Sequence, residues 1–229
     1  LTYSYSGLIN GEIPLFSGAL GRDQGEAVAS YQITQGSLVS QDNGVFLKDN
    51  YAITYEAGEF TITSKSVTDT DITIASIADL VYTGLGQTPS PVVKDGATDL
   101  VKDTDYTLSY VDNINVGTAT ITITGIGNYN GTKDETFAIT PAALTITADA
   151  KSKVFGEVDP ELTVSYTGFV NSEDQDDLTG TLSISRVAGE SVGTYAITAS
   201  GLTSTNYAIT YTEGDFTITS KSITDTDIT

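Results

Sequence analysis

The chain has 229 residues, 30 of them acidic and 10 basic, and it contains no Cys, Met, Trp or His. Without His and Cys it lacks the commonest zinc ligands, the usual general base, the thiol nucleophile and any disulfide that would mark a redox compartment. A net charge of −20 repels phosphate backbones and anionic bilayers, and no apolar run is long enough to span a membrane, so neither nucleic-acid binding nor membrane insertion is expected.

The first predicted element is LTYSY (1–5), an alternating strand. The sequence starts abruptly inside it with no signal peptide, which gives the expectation of an excised fragment. GEAVASYQIT (25–34) follows as a second strand segment. QDNGVFLKD (41–49) reads as an inserted loop, and NYAITYEAGEFTITSKS (50–66) as two further strands. TSKSVTDTDIT (63–73) has no Gly or Pro, so it is expected to be a stiff extended connector into DITI (71–74). Turn-forming KDGATD (94–99) and GIGNYNG (125–131) punctuate the strands of the next stretch. From 144 the alternation is regular: LTIT (144–147), LTVSY (162–166), TLSIS (181–185), TYAITAS (194–200), NYAITYT (206–212) and FTIT (216–219). Its inward set is Leu144, Ile146, Leu162, Val164, Tyr166, Leu182, Ile184, Tyr195, Ile197, Tyr207, Ile209, Phe216 and Ile218, with Thr and Ser facing water. NSEDQDDL (171–178) departs from this pattern and is expected to form one helical turn, capped by Asn171 or Ser172.

The chain repeats itself. LTYSYSGLINGE (1–12) matches LTVSYTGFVNSE (162–173), and GEAVASYQIT matches GESVGTYAIT (189–198). NYAITYEAGEFTITSKS matches NYAITYTEGDFTITSKS (206–222), and TSKSVTDTDIT returns at 219–229 with Ile223 in place of Val67. A more distant relative, 67–140, lies between the copies and shares the Val-Gly-Thr entry, the Asn-Tyr pair and the closing Phe-x-Ile-Thr. The expected domains are therefore 1–66, 67–140 and 141–222, with 223–229 beginning another repeat. The fold class is all-β and mainly antiparallel, as tandem small Ig-like sandwiches in a linear rod.

KVFGEVDPEL (153–162) resembles the K-x-[YF]-G-x-x-D-P-x-L opening of the MBG repeats, a group of bacterial Ig-like domains. GESVGTYAIT and NYAITYTEGDFTI fit the rest of that pattern. The first copy fits too, without the opening segment. The middle stretch, with VYTG (81–84), DTDYTLSY (103–110) and NVGTATITITGIGNY (115–129), is similar to another bacterial Ig-like surface repeat. The resemblance implies extracellular tandem repeats of adhesins or other cell-surface or secreted proteins, and it brings no catalytic residues.

A few constellations are candidate sites. Asp69 and Asp71, and again Asp225 and Asp227, fall at i and i+2, on one face of a strand. There they either solvate the connector or hold calcium, a hard cation that prefers oxygen ligands. The acids Glu173, Asp174, Asp176 and Asp177 offer the same alternatives. Val45, Phe46 and Leu47 in the inserted loop are candidate ligand contacts, or else cover the side of the first copy. Asn130-Gly131-Thr132 fits a glycosylation acceptor but reads better as a turn. Lys151 and Lys153 are the best lysines for an intramolecular amide crosslink, which needs Asn or Asp and a catalytic acid buried with them. Paired carboxylates for glycoside hydrolysis have no Trp platform beside them.

No nucleophile motif or phosphate loop is present, so no enzyme and no cofactor are expected. The expected function is a monomeric structural stalk whose partners are its own neighbouring repeats. A module gripping a surface glycan or protein and the accessory repeats of a secreted enzyme are the alternatives. Repetition favours the stalk, because a scaffold repeats one job and a ligand site is usually singular.

Overall fold

A computed structural model describes residues 1–9 and 11–223. The protein is all β, and its helical content among the described residues is two three-residue 3-10 turns, Lys48–Asn50 and Gln175–Asp177. By contacts the chain forms two compact units, and the middle stretch contributes residues to both.

The unit made of 74–92, 109–122 and the chain from Asp134 onward contains the C-terminal copy complete. Seven strands form its two sheets. In the first, Ala142–Ala148 lies between Val164–Thr167 and Tyr207–Thr212. It runs antiparallel to one (Ile146↔Tyr166) and parallel to the other (Ile146↔Tyr211). In the second the order is Lys151–Val154, Gly214–Thr219, Gly193–Thr203 and Thr179–Arg186. The first of these pairs is parallel (Lys153↔Ile218) and the others are antiparallel. The opening strand thus divides at Asp149 and Ala150 and gives one half to each sheet. The division is pinned where the Thr163 hydroxyl donates to Asp149 Oδ2 at 2.6 Å and the Asp149 N–H donates to Thr163 O at 2.9 Å. At the neighbouring corner Gly168 has φ +118°, and a Cβ there would lie 2.3 Å from Ala143 O.

The burial follows from the alternation. Leu144 and Ile146 are buried with their Thr neighbours half-exposed, and Phe216 and Ile218 repeat the pattern in the facing sheet. Ala148, Ile197, Phe216 and Ile218 form one core, packed by Leu162, Ile184 and Tyr195. Every residue of the expected inward set is buried or half-buried.

The other unit comprises 1–73, 93–108 and 123–133. Ala29–Thr34 pairs antiparallel with Gly21–Arg22 on one side and Gly58–Ile62 on the other. Leu15–Ser17 pairs with Val39–Gln41, and Lys65–Ser66 runs parallel to Tyr129–Asn130. Residues 1–8 and 52–57 form no strand.

The helical turn expected over 171–178 is present but shorter and capped differently. Asn171 and Ser172 adopt left-handed φ of 51° and 61°, and Asp174 is the N-cap of Gln175–Asp177. Its carboxylate accepts from Asp176 N at 2.8 Å, and Asp177 accepts from Asp174 N at 2.9 Å, a reciprocal box that Asn171 is too far upstream to make. In the N-terminal copy the turn sits instead in the inserted loop, at Lys48–Asn50.

Candidate functional site

Two arrangements hold the C-terminal copy. The first joins it to the middle stretch. Thr132–Thr140 and Ala142–Ala148 are separated by Pro141 alone, so no linker lies between them. One hydrophobic cluster spans the join, with Tyr82, Ala119, Phe137 and Ile139 on one side and Ala142, Leu144 and Tyr207 on the other. At its centre the Tyr82 hydroxyl donates to Glu173 Oε1 at 2.6 Å and the Tyr207 hydroxyl to Glu173 Oε2 at 2.5 Å. The two rings meet edge to face at 5.6 Å, and Phe169 meets Tyr207 the same way at 5.5 Å. Burial, and then the hydrogen bond to Glu173, push the Tyr82 phenol up to about 12, and the same causes raise Tyr207. The rim is polar. Asn171 donates to Gly84 O at 3.1 Å, and Asn206 accepts from Val116 N and donates to Asn115 Oδ1, both at 3.1 Å. Gly84 is required here: its φ is +74°, and a Cβ would come within 2.6 Å of Asn171 Cβ.

The second arrangement is an ion-pair clamp. Arg186 grips Asp159 with Nε to Oδ2 at 2.6 Å and Nη2 to Oδ1 at 3.1 Å, and its Nη2 also reaches Glu190 Oε1 at 2.7 Å. The Lys153 ammonium lies 2.7 Å from Asp159 Oδ1 and 2.5 Å from Glu190 Oε2, with its side chain 4% exposed. Arg186 sits over the Phe216 ring at 4.6 Å and the Tyr195 ring at 5.7 Å. Its Nη1 donates to Gly189 O at 2.8 Å. The clamp draws together four stretches of sequence: the second half of the opening strand, the Asp-Pro turn, Thr179–Arg186 and the loop before Gly193–Thr203. The hydrogen bonds from Arg186 and then Lys153 hold the Asp159 carboxyl down at about 2. Glu190 is lowered by Lys153 and then Arg186, and Lys153 is raised by Asp159 and then Glu190.

A profile of the MBG domain, YGX type, matches residues 1–61 and 144–217, more than half of the chain. The chain belongs to the MBG domain family. No curated protein matches it.

The two MBG copies share much of this machinery. In the N-terminal MBG module Arg22 pairs with Glu26, donates to Gly25 O at 2.6 Å, and sits over Tyr31 at 5.3 Å and Phe60 at 5.1 Å. Tyr31 donates to Ala27 O at 2.8 Å, as Tyr195 donates to Ser191 O at 2.9 Å. Tyr51 donates to Glu12, as Tyr207 does to Glu173. Where Tyr207 meets the ring of Tyr82, Tyr51 stacks on Phe46 at 5.2 Å.

The sequence-based candidates fall as follows. Phe46 is not an exposed contact: it is 1% exposed, because its ring covers Tyr51. Val45 and Leu47 flank it at 70% and 46% exposure. The connector is not extended at the acids. Thr68 N donates to Ser66 Oγ, Asp69 N to Ser66 O and Ile72 N to Asp69 O, so 66–72 is a turn, and Asp69 and Asp71 share no strand face. Lys65 lies 3.4 Å from Asp71 and 2.6 Å from Asp95, an ammonium already placed between the acids. Asp225 and Asp227 lie outside the described residues. Glu173 turns to the two tyrosines while Asp174 and Asp177 cap the turn, and no three acidic side chains converge among the described residues. Asn130 donates to Ser64 O at 3.3 Å, tying the end of the first module to Tyr129–Asn130.

Of the two lysines, Lys153 meets an Asp and a Glu, the set an amide crosslink needs. Condensation requires a neutral amine and a protonated acid, whereas this cluster raises the amine and lowers both acids. The arrangement suits a charged clamp. Sequence reasoning passed over Arg186 and Glu190, and their one signal was the recurrence of Arg-x-x-Gly-Glu at 22–26 and 186–190.

Proposed function

We propose that the chain is a non-catalytic stalk segment of a large repetitive bacterial surface or secreted protein of adhesin type, holding a distal functional domain away from its base. The observation that carries this reading is the join at Pro141. A shared apolar core with a buried Tyr82–Glu173–Tyr207 bridge takes the place of a linker. A segment whose task is reach needs stiff joins, and one whose task is capture needs a pocket. Family membership in a tandem-repeat domain and the excess of Thr and Ser on the strand faces support the same reading. The exposed Val45 and Leu47 are the best place for the alternative, a contact with a surface glycan or protein. Small-angle scattering tests the proposal. Tandem modules end to end give a largest dimension on the order of 100 Å, from strands of ~3.4 Å per residue plus loops. A radius of gyration of about 17 Å, that of a compact domain of this length, contradicts it.

A further inference from the structure

The opening and closing strands of the C-terminal MBG module lie side by side through both sheets. Ala142–Ala148 pairs in parallel with Tyr207–Thr212, from Ala142↔Tyr207 to Thr147↔Thr212. Lys151–Val154 pairs in parallel with Gly214–Thr219, from Lys151↔Phe216 to Val154↔Thr219, at the same offset. The two strands therefore pass from one sheet to the other together, at Asp149 and Ala150 in one and at Glu213 in the other, with no slip in register. They touch as they cross: a Cβ on Gly214 would lie 2.2 Å from Ala148 O. Main-chain hydrogen bonds close the ladder at both ends, Ala142 N donating to Asn206 O at 3.0 Å and Phe155 N to Thr219 O at 2.8 Å. Each sheet has one member of the pair at its edge. Among the described residues, Tyr207–Thr212 has Ala142–Ala148 as its one strand partner, and Lys151–Val154 has Gly214–Thr219. Side chains pin both strands to the same loop: Lys153 of the opening strand lies 2.5 Å from Glu190, and Arg186, which reaches the same carboxylate, sits over Phe216 of the closing strand.

The chain enters this ladder at Ala142 and leaves it at Thr219, at opposite ends. Tension along the chain drags the opening strand back toward Pro141 and the closing strand on toward Ser220, each along its own axis. The load then falls on all the facing pairs at once, six in one sheet and four in the other. A ladder peeled from one end gives way pair by pair instead, and each hydrogen bond alone is weak. We infer that the C-terminal MBG module is a force-bearing latch, whose first and last strands resist end-to-end tension in shear. The inference deepens the stalk reading and rests on it for the direction of the load. Forced unfolding is governed by the unfolding rate and not by equilibrium stability, so such a latch keeps a module of ordinary stability folded under tension.

Single-molecule pulling on the full chain tests the latch. The chain has no cysteine, so an introduced pair carrying DNA handles chooses the direction of the load. Ala143→Cys with Ser220→Cys puts the handles at opposite ends of the ladder and loads it in shear. Glu157→Cys with Ser220→Cys puts both at one end, where Val154↔Thr219 opens first. All three positions are exposed, so both variants carry the same folded module and a difference in force is one of direction. At equal loading rate the first pair should need a several-fold higher force to unfold the module. Forces that differ by no more than their scatter, or a lower force in shear, overturn the latch, even for a chain that scattering shows to be extended. A several-fold ratio upholds it, even for a chain that scattering shows to be compact.

Discussion

Glu173 accepts from two buried phenols, so each oxygen of one carboxylate holds a different stretch of the chain. Removing the Tyr82 hydroxyl in Tyr82→Phe leaves Oε1 without its donor and is expected to cost about 1–2 kcal/mol in urea unfolding. Tyr207→Phe should cost more, because that hydroxyl also accepts from Val170 N at 3.1 Å. The phenols give a pH signature. The folded-state value of Tyr82 is raised from 10.0 to about 12, so the folded state holds this proton more tightly than the unfolded chain does. Its contribution is complete below pH 10 and is lost as pH rises from 10 towards 12. Ultraviolet titration should show a tyrosine ionising late, and Glu173→Gln should advance it. The clamp has the opposite sign. Asp159 falls from 3.8 to about 2, so its stabilisation is present above pH 3.8 and is lost as pH falls from there towards 2. Asp159→Asn should lower the melting temperature at neutral pH and flatten the acid limb of the stability profile. Neither cluster was legible as a site in the sequence. Tyr207 read as a core residue, correctly, but Tyr82 was not read as one, and the carboxylate the two share came from an acidic run that looked solvated. Arg186, Asp159 and Lys153 are far apart in the chain, and no periodicity links charged residues across loops.

The strands were legible because one face of each is apolar and the other is Thr or Ser, and burial follows that alternation residue by residue. Partnership was not. Nothing in LTIT or KSKV states that each half of the opening strand lies parallel to one of the last two strands, since alternation fixes a face and not a neighbour. The inserted loop misled for a related reason. Val45, Phe46 and Leu47 look alike in a short run, and only the turn set by Asn43, which accepts from Val45 N and Phe46 N, decides which one points inward. TDTD was read as extended from its β-branched residues, but Ser66 and Asp69 hydrogen-bond locally and win. Ile146→Ala in the central strand should cost about 3 kcal/mol, as a fully buried methyl-rich side chain replaced by a void. Limited proteolysis should cut the N-terminal module, with 52–57 outside any strand, before the C-terminal one. Cleavage in the opposite order would contradict the difference between 52–57, which forms no strand, and the strand Tyr207–Thr212. Because Lys65 already lies between Asp71 and Asp95, calorimetry in calcium and in chelator should give superimposable curves.

At the scale of the whole molecule, the passage from the middle stretch into the C-terminal MBG module is a packed join and not a hinge. Pro141 is the only residue between the two strands, and the residues around it are core. The chain has no cysteine, so a pair introduced at exposed positions labels two sites and no others. Val92→Cys and Ser200→Cys place spin labels on the two sides of the join. Pulsed electron-electron resonance on that pair should return a single narrow distance distribution, which broadens when Tyr82→Ala and Glu173→Ala are added. A broad distribution in the chain with its native join would contradict the account, because a stalk that bends freely at Pro141 does not hold anything at a distance.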